Sequence, residues 1–413
     1  MKVSDLPQRR ILEYREIVGS QKINELLNLA ETLGNIKVAH VNSTAYGGGV
    51  AEILYNLVPL MRDVGIDTEW FVLEAPNEFF KITKKIHHGL QGMEVNISEE
   101  ERKFYMNVLK ENLSKIDLAK DIIVIHDPQP LGLRTLVDQN FSKWIWRCHI
   151  DLSTPYKPIW DFVREMLRKY NASIFHMKEF VHPDTPTPKI FTMPPSIDPL
   201  SPKNCELSET EVLKVLERFG VDSGKPILTQ VGRFDPWKDP FAAINVYKKV
   251  REKIGNVQLL LITTMPTDDP DGLVYLEKIC RKIGEDPNVF ILTDYKGVGA
   301  LEVNAFQRAT TVALQMSLRE GFGLSVAEAL WKKVPVVARP AGGIKLQVIN
   351  GVTGYLVESV NEAAEYIVHL IRNSKLRKKL GENGHRHVKE NFIITKHLEN
   401  YLEIFVETLK NQS

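Results

Sequence analysis

Two glutamates flank a glycine turn in Ser317–Lys333, a stretch that reads SLREGFGLSVAEALWKK. Glu320 and Glu328 lie eight residues apart, and Gly321 and Gly323 lie between them. Two carboxylates at this spacing have two chemical uses. They form an acid–base pair around a bond to be broken, or each accepts hydrogen bonds from hydroxyl groups of one ligand. The elements around the turn decide between these uses.

The helix that we expect to begin near Leu324 adds an anion site. Its first N–H groups, at Leu324 and Ser325, have no partners within the helix and favour a negative charge. Ser325 and Glu328 also fit the S-x-x-E capping box, in which the glutamate bonds back to the helix start. That structural alternative accounts for Glu328. It does not account for Glu320, which we expect at the end of the preceding strand.

Two cations lie five residues apart in the loop VGRFDPWKDP, which spans Val231–Pro240. Arginine offers a planar fork of donors and lysine a mobile point charge, so Arg233 and Lys238 suit a diphosphate. The alternative is a pair of solvated loop cations that pair with Asp235 and Asp239.

A glycine-rich loop, AYGGGVAE, follows the first predicted strand and opens a helix. Its glycines let the backbone approach an anion closely. Gly47 and Gly49 fit the first two positions of G-x-G-x-x-G, but Glu52 stands where the third glycine belongs, which disfavours a nicotinamide cofactor. No G-K-[ST] follows, so the loop is not a P-loop. The alternative is a flexible strand-to-helix turn.

Two polar residues end neighbouring predicted strands nearer the N-terminus. Asp127 ends DIIVIHD, and His149 nearly ends WIWRCHI. We expect both at one edge of a parallel sheet, where ligands bind. A lone histidine is more often structural than functional, but two polar residues at adjacent strand ends make the two interpretations about equal. The D-x-D at Asp269–Asp271 binds a metal and a diphosphate in some enzymes, but a Pro/Asp turn is the simpler explanation.

Composition excludes several classes of protein. The formal net charge of the 413 residues is +1, so no global field attracts nucleic acid or a membrane. No apolar run reaches the length of a membrane span, and the charged N-terminus lacks a signal-type apolar core. Three widely spaced cysteines, without metal-type spacing, fit a reducing compartment. We therefore expect a cytoplasmic protein of two domains.

Short β-rich runs alternate with amphipathic helical runs, which predicts an α/β fold with parallel sheets. The proline-rich stretch from Pro183 to Asn204 interrupts this alternation and predicts a linker or domain edge. The last 50 residues are expected to be helical. The predicted strands cover residues 36–42, 68–74, 121–127 and 144–150 before the interruption, and 226–234, 257–264, 289–295, 310–317, 335–339 and 354–358 after it.

Taken together, these motifs resemble the retaining GT-B glycosyltransferases of family four, over nearly the whole chain. The matching segments are GRFDPWKDP, REGFGLSVAEALWKKVPVVARPAGGI and NGVTGYLV. VNSTAYGGGVAEIL and WRCHIDLS resemble one branch, the trehalose glycosyltransferring synthases. The resemblance implies two doubly wound, Rossmann-like domains facing a central cleft. We place the N-terminal acceptor-side domain at 1–198, the nucleotide-sugar domain at 199–392, and a helix that crosses back to the first domain at 393–413.

The resemblance also implies roles for individual residues. Arg233 and Lys238 would hold the diphosphate, and Glu328 would bind ribose hydroxyls. Glu320 would bind the 3-hydroxyl of the donor glucose. Backbone groups of Gly321, Phe322, Gly323, Leu324 and Ser325 would complete the donor site, with Gly48 and Gly49 approaching the phosphate from the facing domain. His149 and Asp127 would lie at the glucose site, with Asp127 nearer the acceptor, and the loop after residues 290–295 would flank the base.

The implied reaction is a reversible, retaining hexosyl transfer from a nucleotide-diphosphate glucose, such as ADP-glucose or UDP-glucose, to glucose, which forms trehalose. No tightly bound cofactor or metal is expected, and any Mg²⁺ would accompany the nucleotide-sugar. A homodimer is expected from base rates. The alternatives are a trehalose phosphorylase, sucrose- or glycogen-type glucosyl transfer, transfer to a lipid or protein, and a non-catalytic nucleotide-sugar sensor.

Overall fold

The computed structural model describes residues 1–46, 48–138, 141–264 and 270–410. The chain forms two compact units. The first consists of Met1–Ser196 with Ile394–Ser413, and the second of Ile197–Ile393. The boundaries expected from the sequence, at 198/199 and 392/393, lie within two residues of this division.

The first unit contains a six-stranded sheet in the order β2-β1-β3-β4-β5-β6, with every neighbouring pair parallel. Central strands are continuous apolar runs because both sheet faces are covered. All five residues of β3, for example, are buried. The strands are β1 (Lys37–Asn42), β2 (Asp67–Val72), β3 (Ile122–His126), β4 (Lys143–Arg147), β5 (Ala172–Phe175) and β6 (Lys189–Thr192).

The prediction of a linker over Pro183–Asn204 is wrong in part. β6 lies inside this stretch and pairs with β5 at the edge of the sheet. The prolines nearest to β6 are Pro188 and Pro194, just outside its ends. An edge strand tolerates such neighbours because one of its sides needs no ladder partners. The division between the units, after Ser196, does fall within the stretch.

The second unit contains a parallel six-stranded sheet in the order β12-β11-β10-β7-β8-β9. Each of its strands falls within a segment predicted as a strand. The strands are β7 (Ile227–Val231), β8 (Gln258–Thr263), β9 (Val289–Thr293), β10 (Val312–Gln315), β11 (Val336–Ala338) and β12 (Gly354–Leu356).

Helices cover both faces of each sheet, as the alternation of elements requires. The helices of the first unit are α1 (Arg15–Val18), α2 (Ser20–Leu33), α3 (Gly49–Asp63), α4 (Asn77–Leu90), α5 (Glu99–Leu113), α6 (Lys157–Leu167) and α15 (Ile394–Leu409). Those of the second are α7 (Glu209–Arg218), α8 (Pro240–Ile254), α9 (Pro270–Ile283), α10 (Ala300–Ala309), α11 (Leu324–Trp331), α12 (Ile344–Gln347), α13 (Val360–Arg372) and α14 (Ser374–Asn391).

Strand β8 shows how one sheet serves two cores. Leu259 and Leu261 belong to the apolar cluster that includes residues of α8 and α13. Leu260 and Ile262 belong to the cluster that includes residues of α7 and α10. Successive side chains of a strand point to opposite faces, so this alternation gives the doubly wound arrangement.

The C-terminal helix α15 packs within the first unit, against α2 and α3. Lys22 of α2 donates to Glu399 at 2.6 Å, and the ring of Tyr401 meets that of His40 edge-on. Within the described ranges, no helix is long and apolar enough to cross a membrane.

Both sheets change the direction of strand addition at one place. The switch lies between β1 and β3 in the first unit and between β7 and β10 in the second. In open α/β sheets, ligands bind beyond the carboxyl ends of the strands at this switch. The segments that follow these four strands contain Gly48–Gly49, Asp127, Arg233–Lys238 and Glu320. These segments are therefore the candidate ligand-binding positions.

Candidate active site

The glycine turn leads directly into α11, which begins at Leu324 as predicted. Gly323 is the residue before the helix and has a left-handed backbone, with φ at 83°. A side chain would be strained there, and its Cβ would stand 3.3 Å from Cγ of Glu320. Glycine at this position therefore lets the carboxylate of Glu320 lie close to the start of α11, where the helix dipole is positive.

The capping-box alternative for Ser325 and Glu328 is wrong. Because Gly323 precedes the helix, Ser325 lies within the first turn, and its hydroxyl donates to Gln315 Oε1 at 3.4 Å. Glu328, which is 2% exposed, does not reach back to the helix start. Its carboxylate accepts from Gln307 Nε2 at 3.1 Å and pairs with Lys203 Nζ at 3.4 Å.

Glu320 pairs with Lys238, although 82 residues separate them along the chain. Both side chains are largely buried, at 10% and 18% exposed. Glu320 lies five residues beyond the end of β10 rather than at the strand end that we expected. Gln315, the last residue of β10, and Ser317 donate to the same carboxylate at 3.5 Å and 3.4 Å. The structure thus brings two predicted site residues into one polar cluster.

Arg233 lies apart from this pair. Its side chain is 70% exposed and lies 3.6 Å from the carboxylate of Asp235, as the alternative of solvated loop cations expects. Asp235 also accepts from the backbone N–H of Lys238 at 3.0 Å and so shapes the loop. Asp239 pairs with Arg339 at 2.7 Å and not with Lys238. Arg233 is therefore solvated beside Asp235, whereas Lys238 is largely buried against Glu320.

Trp237 is a site residue that the sequence reasoning missed. It is the residue before Lys238, it is 40% exposed, and the guanidinium of Arg319 lies 4.9 Å from its ring centre. Its carbonyl accepts from the backbone N–H of Leu318 at 2.7 Å. These contacts join the loop after β7 to the loop after β10. An exposed tryptophan between two expected phosphate ligands was the available signal.

Lys203 and Lys332 both contact Glu328, and the sequence analysis did not predict either contact. Lys332 Nζ donates to Asn204 Oδ1 at 2.8 Å and to the carbonyl of Glu328 at 3.2 Å. Burial lowers the pKa of Lys332 to about 7. Lys203 and Asn204 belong to the proline-rich stretch that the sequence predicts as a linker or domain edge. Residues of that stretch therefore lie beside Glu328, the residue expected to bind ribose.

The glycine-rich loop of the first unit leads into α3 at Gly49. Gly48 is the residue before the helix, with φ at 141°, a conformation that residues other than glycine rarely adopt. The N–H of Glu52 is bonded to the carbonyl of Gly48 at 3.1 Å, within the first helical turn. Gly47, which we matched to G-x-G-x-x-G, lies outside the described residues.

Asp127 follows β3 with a left-handed backbone, at φ 61°. Its carboxylate accepts from the backbone N–H of His149 at 2.9 Å, and its carbonyl accepts from Trp146 Nε1 at 3.0 Å. Burial raises the pKa of Asp127 to about 7. Such a carboxyl changes its charge near neutral pH, and its strained backbone is typical of functional positions.

The ring of His149 lies between two other histidines. Its Nε2 is 3.1 Å from Nδ1 of His126, and its Nδ1 is 3.0 Å from Nε2 of His176. Burial, followed by the charge of Arg147, lowers the pKa of His149 well below its usual value. The structure brings Asp127 and His149 together through the backbone N–H, while both ring nitrogens of His149 have protein partners.

Across the described ranges, no three His, Cys, Asp or Glu side chains gather so that they could hold a metal ion. Asp269 lies outside the described residues, as does the side chain of Asp271, so the D-x-D prediction stays untested.

The fold matches solved glycosyltransferase structures. An E. coli structure described as trehalose-6-phosphate bound with UDP-2-fluoro glucose superposes with a TM-score of 0.68, covering 91% of this chain and 99% of that one at 14% identity. Residues 214–387 match the family described as glycosyl transferases group 1. The architecture is therefore that of the GT-B glycosyltransferases.

Closer relatives define the family. Residues 40–182 match the family described as trehalose synthase, N-terminal domain. A trehalose synthase from Thermococcus litoralis is 54% identical over 398 residues, which are 96% of this chain and 96% of that protein. A trehalose phosphorylase from Pleurotus pulmonarius is 27% identical over 92% of this chain, but only 58% of that protein is covered. The chain therefore belongs to the trehalose synthase family and is a hexosyltransferase whose reaction is a trehalose-related glycosyl transfer.

Proposed function

We propose that this protein is a retaining glucosyltransferase that moves glucose from a nucleotide-diphosphate glucose to glucose, forming trehalose reversibly. The observation that carries the proposal is the buried Lys238–Glu320 pair beside the glycine turn at the start of α11. It combines a cation for phosphate, a carboxylate for sugar hydroxyls and a positive helix end within one cluster. The trehalose synthase relatives support the choice of product.

On the donor side, Lys238 and the exposed Arg233 bind the diphosphate, and the N–H groups of Leu324 and Ser325 face its charge. Glu320 accepts from a hydroxyl of the donor glucose, helped by backbone groups of residues 321–323. Lys238 serves two partners, since its pairing with Glu320 leaves ammonium protons for a phosphate oxygen. Lys238 and Arg233 thus bind the diphosphate before the bond between the diphosphate and glucose breaks.

Glu328 binds the ribose hydroxyls of the nucleotide. Its carboxylate already has two partners, Gln307 and Lys203. Gln307 is buried, whereas the Lys203 side chain is 28% exposed. We therefore infer that ribose replaces or shares the Lys203 contact while the Gln307 bond keeps the carboxylate in place.

On the acceptor side, Asp127 accepts a hydrogen bond from the incoming glucose, and the backbone around His149 frames the sugar. Gly48 and Gly49 offer a further helix start for phosphate. Glucose is uncharged, so an acceptor site requires hydrogen-bonding groups rather than a strong field. The pKa of about 7 leaves Asp127 without a full charge at neutral pH.

The mechanism follows from these assignments. Retaining glycosidases place two carboxylates at the scissile bond, one of them as nucleophile. Here Glu320 and Glu328 are each assigned to hydroxyl binding. The bond between glucose C1 and the phosphate oxygen breaks as Lys238 and Arg233 stabilise the departing charge. The acceptor hydroxyl bonds to C1 on the same face, and its proton passes to the departing phosphate. A glucosyl adduct trapped on Asp127 or another carboxylate would refute this scheme.

A donor-by-acceptor screen with product identification tests the proposed activity. Nucleotide-glucose is incubated with glucose, glucose phosphate or inorganic phosphate, and glucose 1-phosphate with glucose. Trehalose from nucleotide-glucose and glucose is the expected result. Trehalose formed only from glucose 1-phosphate and glucose would instead indicate a phosphorylase, the activity of the Pleurotus relative. Sucrose- or glycogen-type products would indicate another transfer on the same fold.

Two further expectations have simple tests. Any Mg²⁺ is expected to enter with the phosphates of the nucleotide-sugar, so EDTA alone should leave no lasting loss once the metal is restored. The predicted homodimer is measured by size-exclusion chromatography with light scattering.

A further inference from the structure

Four histidine rings form one continuous row across the first sheet. His40 lies on β1, His126 ends β3, and His149 and His176 follow β4 and β5. These strands are neighbours in the order β1-β3-β4-β5. Successive rings are joined at nitrogen–nitrogen distances of 3.0 Å, 3.1 Å and 3.0 Å. The row therefore connects the carboxyl ends of four adjacent strands.

The surroundings of the row favour neutral rings. His40, His126 and His176 are at most 4% exposed. Burial lowers the pKa of His40 to about 3 and that of His126 well below its usual value. The guanidinium of Arg147 adds repulsion. The other buried ionisable groups near the row are Asp127, Cys148, His397 and Tyr401.

A neutral imidazole has one N–H donor and one bare nitrogen that accepts. His126 and His149 use both nitrogens within the row, so each donates at one side and accepts at the other. If His126 donates from Nδ1, His149 must accept at Nε2 and donate from Nδ1 to His176. His40 must then donate from Nδ1 to His126. The opposite choice reverses every bond, so the three bonds share one direction.

We propose that His40, His126 and His176 are positioning residues that fix the tautomer and orientation of the His149 ring, and that the four rings change tautomer only together. The row ends within the protein, because Nε2 of His40 has no hydrogen-bond partner among the described residues. It is a linear series of paired nitrogens rather than a converging set of ligands, which separates it from a metal site.

The row acts on the sugar side through the backbone of His149. The N–H of His149 donates to the carboxylate of Asp127 at 2.9 Å. Holding the His149 ring from both sides therefore holds the N–H that orients Asp127, the group assigned to the acceptor. The assignment of Asp127 to the acceptor rests on the proposed function, whereas the common tautomer rests on hydrogen bonding alone.

Nitrogen NMR tests the common tautomer on the full chain without substrate. Long-range ¹H–¹⁵N correlation of ¹⁵N-histidine-labelled protein shows which ring nitrogen carries the proton, and single histidine variants assign the signals. We expect the same protonated nitrogen, Nδ1 or Nε2, in His40, His126, His149 and His176 at pH 7. Different tautomers among the four would overturn the proposal.

Replacing the second ring tests the positioning role. In His126→Phe, we expect faster hydrogen exchange of the His149 amide, while His149 and His176 keep one common tautomer. His397→Asn is the matched control, because His397 is also buried but bonds to the Pro194 carbonyl instead of the row. Unchanged exchange in His126→Phe would overturn the role. If this variant does not fold, His40→Phe and His40→Asn replace it; the Asn amide occupies the place of Nδ1 and should preserve the bond.

Kinetics give a second readout. We expect His126→Phe to raise KM for glucose about tenfold, as loss of one buried hydrogen bond would, and to leave KM for the nucleotide-glucose unchanged. An equal rise in both constants would mark a general structural defect and overturn the positioning role. Since the tautomers are measured without substrate, a chain with a uniform row but no trehalose formation would contradict the proposed function and support this inference.

Discussion

The two units hold their candidate site residues with different kinds of interaction. In the second unit, Glu320 and Glu328 each pair with a lysine. Glu320 precedes α11, and Glu328 lies within it. In the first unit, Asp127 has a pKa raised to about 7 and lies beside a row of rings whose pKa values are lowered. Ion pairs suit a charged diphosphate, whereas a partly ionised carboxyl beside neutral rings suits the hydroxyl groups of glucose. The difference teaches that one fold serves two ligand chemistries by changing the charge at its switch point.

Removing the cation of the second unit should have the largest effect. Lys238→Ala takes away a charge that stabilises the leaving diphosphate and leaves the carboxylate of Glu320 without its partner. We expect kcat to fall about 10²–10³-fold. Steady-state assays with nucleotide-glucose and glucose measure this. Lys248→Ala is the control, because Lys248 lies on α8 and donates to the carbonyl of Lys282. Equal turnover of the two variants would refute the diphosphate role.

Asp127→Asn tests the first unit, where a carboxyl that is partly ionised at neutral pH is assigned to the acceptor. Asparagine tolerates the left-handed backbone but cannot ionise. We expect kcat/KM for the acceptor to fall about 10–100-fold, as loss of a charge-assisted hydrogen bond would. In the unaltered protein, kcat/KM should rise as the pH increases through about 7, because the carboxyl ionises there. This rise should be absent from the variant.

Stability should show the same titration with the opposite sign. The folded state holds the Asp127 proton up to about pH 7, and the unfolded state releases it near 4. The free energy of unfolding of the unaltered protein should therefore fall relative to Asp127→Asn between these values. Asp121→Asn, just before the start of the same strand, is the control. A pH-independent difference between Asp127→Asn and the unaltered protein would contradict the raised pKa.

Glu328→Gln tests whether the ion pair beneath α11 serves the nucleotide. The amide keeps the shape of the side chain but loses the negative charge. That charge pairs with Lys203 and would accept hydrogen bonds from the ribose hydroxyls. We expect KM for nucleotide-glucose to rise about tenfold, with a smaller change in kcat. Glu302→Gln, in the surface pair with Arg218, provides the control. A large fall in kcat with unchanged KM would place Glu328 at the reacting bond instead.

The smallest expected effect concerns the helix start. Ser325→Ala should change the free energy of unfolding by less than about 0.5 kcal/mol, because Ser325 is not the capping residue of α11. Ser208→Ala is the matched comparison, since Ser208 caps α7 with a complete capping box. There a loss of about 1 kcal/mol is expected. Urea unfolding measures both, and equal losses would restore the capping-box interpretation of Ser325.

Ten strands were predictable because each is an apolar, β-rich run bounded by turn residues, as IIVIH in β3 shows. β5 and β6 were not, since Ser173 interrupts the apolar run in ASIF and KIFT adjoins the prolines that predicted a linker. The GT-B class and the trehalose family followed from the resemblance of whole motifs, which periodicity alone does not supply.

The candidate site was predictable as a set of residues and much less as a set of contacts. The Lys238–Glu320 pair joins loops after β7 and β10, so it depends on strand order that local patterns do not reveal. The histidine row depends on strand order in the same way, although His40, His126 and His149 all lay in predicted strands. The S-x-x-E pattern misled because Gly323, in a left-handed conformation, starts the helix two residues earlier.

The identity of the product tests the central claim most directly. Purified protein is incubated with unlabelled glucose and either ADP-glucose or UDP-glucose carrying ¹³C in the sugar, and the products are analysed by NMR. We predict trehalose with one labelled ring, an α,α-1,1 linkage and one nucleotide diphosphate released per disaccharide. No disaccharide from either donor, or a labelled ring with inverted configuration, would contradict the account.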